Sequence, residues 1–515
     1  NPARSTTRAC SLKTGHRGIQ PCPSKQTAGS LRPQSQPRKR QTLKPIQSKG
    51  VTPVYASSST FSELQHPKTT NFQATFEQQA AIKGITGFCR QSGGGTFASF
   101  NGPAGSGKST TSRLVRESLI SAGYSVGLCA PTHKACQVLA DACKVNKTET
   151  ATFASLLGLR EKKTKDEVDF VPQPGSKPRL DENDIWLADE ASMMHPKLLK
   201  YIEEAADFWT KIIFIGDQAQ LAPVKFGRVS PALRCTPRFD LTKVMRHDGA
   251  VLDAATAIRE TTGSKWRIPF TKSIIGDSSS IFTYADKKEW QHAFLEMAAE
   301  HHEKDDPDAF RVIAWTNDEV NRLNAGIRRH VYGRKSDPFL VGERVVTHSG
   351  VKAPDDHSEL IYGSSRELLI RQATPVEFLH PACADGKPFL SWELITQTDD
   401  GEPPRKIRAI DPTHEGRMQV FLKQLREQAF ENMQRGSGQH AWDDFWNLND
   451  AFAELQPYWC LTCHKAQGSQ FRNVFVQGAD MDRAAGGANE RRRLWYTALT
   501  RAQRAVHLVA DPEVS

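Results

Sequence analysis

Short, mostly apolar runs recur along this chain, and each is followed closely by glycine or polar residues. The runs are residues 96–100, 184–188, 211–215, 474–476 and 505–509. Runs of this kind are typical of parallel strands buried between helices. Residues 110–122 follow the first run and place apolar side chains at Leu114, Val115, Leu119 and Ile120. This spacing predicts a helix, so the pattern as a whole predicts an α/β fold.

The net charge of +10 belongs to the beginning of the chain. Residues 1–62 contain eleven Lys and Arg and no acidic residue, while the remaining 453 residues carry 57 basic and 58 acidic side chains. The body is therefore close to neutral, and bulk charge does not indicate a nucleic-acid partner. Any such partner has to be inferred from motifs.

The basic leader, residues 1–70, is rich in Ser, Thr, Pro, Gln and Arg and shows no hydrophobic periodicity. We expect it to be disordered. Its composition resembles that of a plastid or mitochondrial transit peptide. A solvated basic tail on a nuclear or cytoplasmic protein stays open as the alternative. The ten cysteines are scattered without paired spacing, which favours reduced thiols in an intracellular compartment. We find no run of 18 apolar residues that would predict a membrane span.

A phosphate-binding loop follows the first apolar run. The sequence from residue 102 to 109 matches G-x-x-x-x-G-K-[ST] between a predicted strand and a predicted helix, the context that this motif requires. Lys108 is expected to contact the β- and γ-phosphates of ATP, and Ser109 to hold Mg²⁺. The predicted ATP-binding residues of the loop are Gly102, Pro103, Ala104, Gly105, Ser106, Gly107, Lys108, Ser109 and Thr110.

Two carboxylates end the second run. Asp189 and Glu190 directly follow residues 184–188, and the carboxyl ends of such strands face the ligand crevice of an open α/β sheet. Asp189 is predicted to bind Mg²⁺, and Glu190 to polarise the water that attacks the γ-phosphate. A solvated acidic loop is the alternative for the pair taken by itself.

The third run ends in the sequence G-D-Q-A-Q-L-A-P-V, residues 216–224. Together with the upstream D-E-A-S it resembles motif III of superfamily 1 helicases. The resemblance implies that Gln220 senses the γ-phosphate and links it to the nucleic-acid groove. A simple turn would account for Gly216 and Asp217 but not for Gln220.

The C-terminal third resembles the second motor domain of the same superfamily. Residues 462–469 are similar to motif V, and residues 496–502 are similar to motif VI. The resemblance implies that Arg501 is an arginine finger, that Arg246 is a second phosphate-contacting arginine, and that Gly468 lies at the ATP site. The alternative for Arg501 is a cation at a helix end.

Other segments match the remaining motifs. Gln78 fits the upstream glutamine that contacts adenine, and residues 130–135 resemble motif Ia, which contacts the strand backbone. The implied DNA-binding residues are Pro131, Thr132, His133, Phe153, Thr462 and His464. For Phe153 two interpretations remain open, because its ring could stack on a base or belong to the core.

Residues 72–512 most resemble the Dda-like helicases of T-even phages, with RecD-like enzymes as wider relatives. The resemblance implies two RecA-like P-loop NTPase motor domains, at 71–245 and at 246–338 with 458–515. It also implies a β-hairpin pin near 159–171 and a small inserted β-barrel with a helical arm at 339–457. The implied activity is ATP-dependent, 5′→3′ unwinding of DNA in replication, recombination or repair.

The expected partners are single-stranded DNA and duplex junctions, with no membrane and with the protein acting as a monomer. An RNA helicase of the viral replicase type shares these motifs. A remodeller that switches affinity for nucleic acid without unwinding it is the third possibility. The sequence does not indicate protein partners.

Overall fold

Parallel strands form the central sheet of the first RecA-like domain. The computed structural model describes residues 74–91, 95–146, 149–163, 168–172, 175–223, 226–245, 249–261, 272–276, 278–354, 359–383, 386–399, 401–434, 439–484 and 486–509. The basic leader and Arg246 lie outside these ranges. The elements of the first domain are α1 Phe76–Arg90, β1 Phe97–Asn101, α2 Lys108–Ser121, β2 Val126–Ala130, α3 His133–Cys143, β3 Thr150–Thr152, α4 Phe153–Leu156, β4 Leu159–Lys163, β5 Val168–Pro172, β6 Ile185–Ala188, α5 Pro196–Ala205, β7 Lys211–Gly216 and β8 Arg238–Asp240.

The order of strands in this sheet is β3-β2-β6-β7-β1-β8, and every pair is parallel. All residues of β2, β6 and β7 are buried, as expected for strands covered by helices on both faces. Because β6, β7 and β1 are neighbours, the segments that follow them come together at one edge of the sheet. This topology assembles the candidate site.

The first domain also contains a two-stranded hairpin that is separate from the central sheet. Strands β4 and β5 pair antiparallel, with Leu159 opposite Pro172 and Lys163 opposite Val168. The hairpin lies where the resemblance places the pin, so this part of the predicted fold is confirmed.

The second RecA-like domain has the sheet order β19-β11-β20-β21-β10-β9. Its first part contains α6 Ala250–Glu260, β9 Ile274–Ile275, β10 Ser280–Tyr284, α7 Lys287–Glu303, β11 Phe310–Ala314 and α8 Asn317–Tyr332. Its second part contains β19 Cys460–Thr462, β20 Phe471–Val476, α11 Gly478–Met481, α12 Gly487–Leu499 and β21 Ala502–Val509. The strands are parallel except β9, which pairs antiparallel with β10. Two RecA-like domains are therefore present, as the motifs predict.

An antiparallel sheet is inserted between α8 and β19, in the order β17-β16-β15-β12-β18. The inserted elements are β12 Arg344–Thr347, β13 Val351–Lys352, β14 Leu360–Tyr362, β15 Glu367–Phe378, β16 Phe389–Gln397, β17 Arg405–Ile410, α9 Pro412–Gln434, α10 Gln439–Asp450 and β18 Leu455–Pro457. The N–H of Ala453, two residues before edge strand β18, donates to the carbonyl of Arg408 in the other edge strand at 2.6 Å. The sheet thus curls until its edges meet, which gives the predicted small barrel, and α9 and α10 are its helical arm.

None of the described helices combines the length and the apolar character that crossing a bilayer needs.

Candidate ATP and nucleic-acid site

The phosphate loop between β1 and α2 has the conformation that its glycines permit. Gly105 and Gly107 have φ of 77° and 87°, values that favour glycine. Lys108 Nζ donates to the carbonyls of Gly102 and Pro103 at 2.9 and 3.0 Å. Ser106 Oγ is buried and has no hydrogen-bond partner among the described residues. An ammonium group and an unused hydroxyl therefore line the loop, and both fit a phosphate ligand.

Helix α2 begins at Lys108, so its first turn directs backbone N–H groups toward the loop. Ser109 and Thr110, the next two residues, are half-buried there. The N-terminus of a helix attracts anions because its N–H groups and its dipole both favour negative charge. The predicted phosphate contacts of these residues are consistent with this position, and their Mg²⁺ role stays a prediction.

Asp189 and Glu190 follow β6 beside the loop. The N–H of Asp189 donates to the carbonyl of Cys129 at 2.8 Å, and the N–H of Glu190 donates to Asp189 Oδ1 at 2.8 Å. Burial, followed by the charge of Glu190, raises the pKa of Asp189 to about 6, although Lys108 opposes this shift. Glu190 has φ of 52°, an uncommon value outside glycine that is found at active sites. The two carboxylates are thus placed with Lys108 at one sheet edge.

The segment after β7 links the phosphate loop to the second RecA-like domain. Asp217 Oδ2 accepts the N–H of Ala104 at 3.0 Å and the hydroxyl of Tyr496 at 2.6 Å. The N–H of Ala104 also reaches the Tyr496 hydroxyl oxygen at 3.1 Å. Burial, followed by the charge of Asp217, raises the pKa of Tyr496 well above its usual value, so the phenol keeps its proton. Neither residue was predicted to be functional.

Gln220 also takes part in contacts between the two domains. Gln467 Nε2 donates to Gln220 Oε1 at 3.5 Å, and the N–H of Leu221 donates to Thr497 Oγ1 at 3.2 Å. Arg493 of α12 donates to the carbonyl of Gln220 at 2.5 Å. The loop resembling motif III is therefore bonded to both segments resembling motifs V and VI. Arg493 was missed because only the fold turns this residue of α12 toward the first domain.

Of the two predicted phosphate-contacting arginines, Arg501 lies among the described residues. Arg501 is buried and donates to the carbonyls of Thr497 and Ser469 at 3.2 and 3.3 Å. Through these bonds it connects the segment resembling motif VI to Ser469, at the end of the segment resembling motif V. Its role as an arginine finger stays a prediction. Arg246 lies outside the described residues, but the N–H of Met245 donates to the carbonyl of Gly105 at 2.8 Å.

Gln78 and Gly468 were both predicted at the ATP site. Gln78 Oε1 accepts the N–H of Thr75 and completes a capping box at α1. Its Nε2 lies 2.4 Å from where a Cβ on Gly107 would stand, which places its amide against the phosphate loop. A Cβ on Gly468 would lie 3.0 Å from the Cβ of Ala135, so Gly468 packs on the segment resembling motif Ia. Adenine recognition and an ATP contact of Gly468 stay predictions.

The predicted strand-binding residues occupy the starts of two segments. The hydroxyls of Thr132 and Thr462 accept the N–H groups of Ala135 and Lys465 at 3.2 and 3.3 Å. Pro131 is half-buried before the first of these turns. Burial lowers the pKa of His464 to about 4, so this imidazole is neutral at physiological pH.

Phe153 is not available to nucleic acid. It is 1% exposed and packs in the core beneath β6 and β7 with Leu156, Trp186 and Phe214. The proposed stacking on a base is therefore wrong, and the core interpretation is correct.

The other predicted strand-binding imidazole, that of His133, also has a lowered pKa, because the side chain is buried and because Arg366 lies near it.

Two family profiles match the chain. A profile of the AAA domain covers residues 73–267, and a profile of the UvrD-like helicase C-terminal domain covers residues 457–509. These ranges contain the phosphate loop and the segments resembling motifs V and VI, respectively.

Among curated relatives, the ATP-dependent DNA helicase dda of Enterobacteria phage T4 is 29% identical over 394 residues, which is 73% of this chain and 86% of the relative. The ATP-dependent RecD2 DNA helicase of Deinococcus radiodurans is 30% identical over 195 residues, 37% of this chain and 24% of the relative. Among solved structures, the Pif1 helicase from Bacteroides in complex with ADP-AlF3 and ssDNA aligns with a TM-score of 0.43 and 16% identity, over 85% of this chain and 92% of that one.

Proposed function

We propose that this chain, an ATP-dependent helicase of superfamily 1, moves 5′→3′ on single-stranded DNA and separates the duplex that it meets. One observation carries the proposal. The carboxylate of Asp217 is bonded both to Ala104 in the phosphate loop and to Tyr496 in the second RecA-like domain. A ligand that alters the loop therefore acts directly on the contact between the two domains.

The hydrolysis step uses residues at the edge of the first sheet. Lys108 binds the β- and γ-phosphates, and Glu190 orients the attacking water and accepts its proton. Ser109 and Asp189 would hold Mg²⁺, which neutralises phosphate charge when bound. The donor set fits this cation, because Mg²⁺ is usually held by one or two carboxylates together with substrate phosphates.

The conversion of hydrolysis into movement requires an open and a closed state of the cleft between the two RecA-like domains. Gln220 and Gln467, bonded at 3.5 Å, belong to different RecA-like domains and connect the segment resembling motif III to the segment resembling motif V. ATP favours the closed cleft, in which Arg501 and Arg246 approach the γ-phosphate, and its hydrolysis favours opening. Net motion follows if the two states differ in their affinity for the strand.

The DNA substrate rests on the likeness to the phage relative, which is named a DNA helicase. The direction rests only on the resemblance of the motifs to the Dda-like branch. The Dda-like resemblance of the barrel region supports the same choice over an RNA helicase. We further propose that the protein acts as a monomer inside the cell. An organellar location is proposed on the composition of the leader alone.

The test is strand displacement by the full chain with Mg-ATP. Four partial duplexes carry a 5′ or a 3′ single-stranded tail in DNA or in RNA. We expect displacement from the 5′-tailed DNA only. Displacement from 3′-tailed DNA would overturn the direction, and displacement from RNA would favour the replicase-type enzyme. Strand-stimulated ATP hydrolysis without displacement on any substrate would favour the remodeller.

A further inference from the structure

Three parts of the fold meet at the carboxylate of Glu367, the first residue of β15 in the inserted barrel. An Nη atom of Arg311, in β11 of the second RecA-like domain, donates to Glu367 Oε1 at 3.0 Å. Lys134 Nζ, in α3 of the first RecA-like domain, lies 4.0 Å from the same oxygen. One oxygen atom therefore pairs with a cation from each of the two motor domains.

This junction is largely withdrawn from solvent. The exposed side-chain fractions are 0% for Arg311, 12% for Glu367 and 27% for Lys134. The guanidinium of Arg311 lies over the rings of Tyr458 and Phe471, 4.5 and 4.6 Å from their centroids. Burial alone would raise the pKa of Glu367, but Arg311 and Lys134 outweigh it and lower the pKa. The carboxylate of Glu367 is therefore ionised at neutral pH, and buried ion pairs are sensitive to the loss of one partner.

The loop before Glu367 covers the segment resembling motif Ia. The ring of His133 packs on the backbone of Gly363, and a Cβ there would stand 2.0 Å from His133 Cδ2. Thr347 Oγ1 fixes this loop, because it donates to the carbonyl of Gly363 at 2.7 Å and accepts the N–H of Arg366 at 2.8 Å. The predicted strand-binding turn before α3 is thus seated directly on the barrel.

The segment resembling motif V is attached to the same barrel. Lys465 Nζ lies 2.7 Å from Nδ1 of His348, the residue after β12. Both predicted strand-binding turns therefore contact the barrel near Thr347, although they belong to different RecA-like domains. The barrel is placed where it can fix the position of one turn relative to the other.

We propose that Glu367 is a positioning residue that couples ATP turnover to strand movement by holding Lys134 and Arg311, and with them the two motor domains, at fixed places on the barrel. The proposal rests on the proposed helicase function and adds to it a residue outside the segments that resemble helicase motifs. Glu367 contacts neither the phosphate loop nor the predicted strand-binding side chains in the hydrogen bonds described, so it acts through its two partners.

The test compares Glu367→Gln with Glu359→Gln in the full chain. Glu359 also pairs with an arginine of the barrel, Arg405 at 3.5 Å, but both side chains are about half exposed, at 51% and 50%. We expect Glu367→Gln to hydrolyse ATP without DNA at the wild-type rate and to separate roughly tenfold fewer base pairs per ATP, since coupling energies between sites typically correspond to 5- to 150-fold effects. Glu359→Gln should match the wild type. We call the number of base pairs separated per ATP the coupling, and an unchanged coupling in Glu367→Gln would overturn the proposal.

A second variant separates positioning from folding and from direct strand contact. Lys134→Met removes only the pair to the first domain. If Lys134 acts through Glu367, the double variant Lys134→Met/Glu367→Gln should separate as many base pairs per ATP as Glu367→Gln alone. A direct contact of Lys134 with the strand would make the two losses add, and this outcome would count against the proposal. Should Glu367→Gln unfold at the assay temperature, Lys134→Met is assayed for both base pairs separated per ATP and affinity for single-stranded DNA. A tenfold loss of base pairs per ATP at wild-type affinity supports the junction, whereas an unchanged number, or a loss that accompanies weaker strand binding, overturns it.

Failure of this proposal is distinguishable from failure of the proposed function. Coupling is measured on whichever tailed duplex the wild-type protein unwinds, so a wrong direction leaves the comparison intact. If the wild type unwinds none, the readout is the factor by which single-stranded DNA stimulates ATP hydrolysis. A reduced factor in Glu367→Gln supports the junction, and an unchanged factor overturns it.

Discussion

The hydroxyl of Tyr496 donates to Asp217 Oδ2 across 2.6 Å, and this hydrogen bond joins helix α12 of the second RecA-like domain to the edge of the first sheet. The same oxygen of Asp217 accepts the N–H of Ala104 in the phosphate loop at 3.0 Å. Tyr496 is buried. The hydrogen bond is therefore a short, buried connection between the phosphate loop and the second RecA-like domain.

Replacing Tyr496 with Phe should slow ATP hydrolysis. The substitution keeps the ring and removes the hydroxyl, which leaves the buried Asp217 with one donor fewer, a loss that costs about 1–3 kcal/mol. If the bond forms fully only in the closed cleft, kcat should fall roughly 5- to 150-fold, with a smaller change in KM. Steady-state ATPase assays with saturating single-stranded DNA measure both quantities.

The matched control is Tyr284→Phe in the same domain. Tyr284 is the last residue of β10 and does not contact the first RecA-like domain in the hydrogen bonds described. Its hydroxyl lies 2.9 Å from His507 Nδ1. This variant should retain wild-type kcat. Equal rates for Tyr496→Phe and the wild type would show that the Asp217 contact has no part in turnover.

Lys108→Ala should abolish ATP hydrolysis and leave the binding of single-stranded DNA largely intact. Lys108 Nζ donates to the carbonyls of Gly102 and Pro103. The charged phosphates of ATP would accept stronger hydrogen bonds from this ammonium group. Hydrolysis is measured by phosphate release and strand binding by fluorescence anisotropy. Lys83→Ala, on the exposed face of α1, is the control. Unchanged hydrolysis in Lys108→Ala would contradict the assignment of the ATP site.

The parts of the fold that could be predicted from sequence are those fixed by local pattern. Strands β6 and β7 are buried along their whole length, so their residues form continuous apolar runs that are visible in the sequence. The phosphate loop is equally local, because its glycines and Lys108 are consecutive. The carboxylates Asp189 and Glu190 could be found because they directly follow one of these runs.

The remaining site residues depend on tertiary structure. Tyr496, Arg493 and Glu367 act through partners that are 279, 273 and 56 residues away in sequence, and no periodicity marks them. Phe153 was ambiguous for a related reason. It starts a four-residue helix, which is too short for its pattern to indicate the buried face.

Arg501→Lys should reduce kcat by about 10³-fold or more if Arg501 is an arginine finger. Lysine keeps the charge but cannot reproduce the guanidinium fork that bonds Thr497 and Ser469. Thermal unfolding should accompany the ATPase assay, because these buried hydrogen bonds also stabilise the fold. Arg504→Lys, three residues away and exposed, should behave as wild type. A folded Arg501→Lys protein with wild-type kcat would assign Arg501 to structure alone.

Acid should destabilise the protein through its buried imidazoles. Burial lowers the pKa of His464 and His507 from 6.5 to about 4. Between these values each ring is neutral in the folded chain and protonated in the unfolded chain, so the free energy of unfolding falls as the pH drops from about 6.5 towards 4. Above pH 6.5 the two rings contribute no pH dependence.

Urea unfolding at pH 7, 6 and 5 tests this dependence with His507→Gln and a control. His507 stacks on Phe475 with ring centroids 4.1 Å apart, so the variant should be less stable at every pH, but its stability should change less between pH 7 and pH 5. His292→Gln, whose native side chain is 71% exposed, should keep the wild-type slope. Identical slopes for all three proteins would mean that His507 is protonated equally in the folded and unfolded chains.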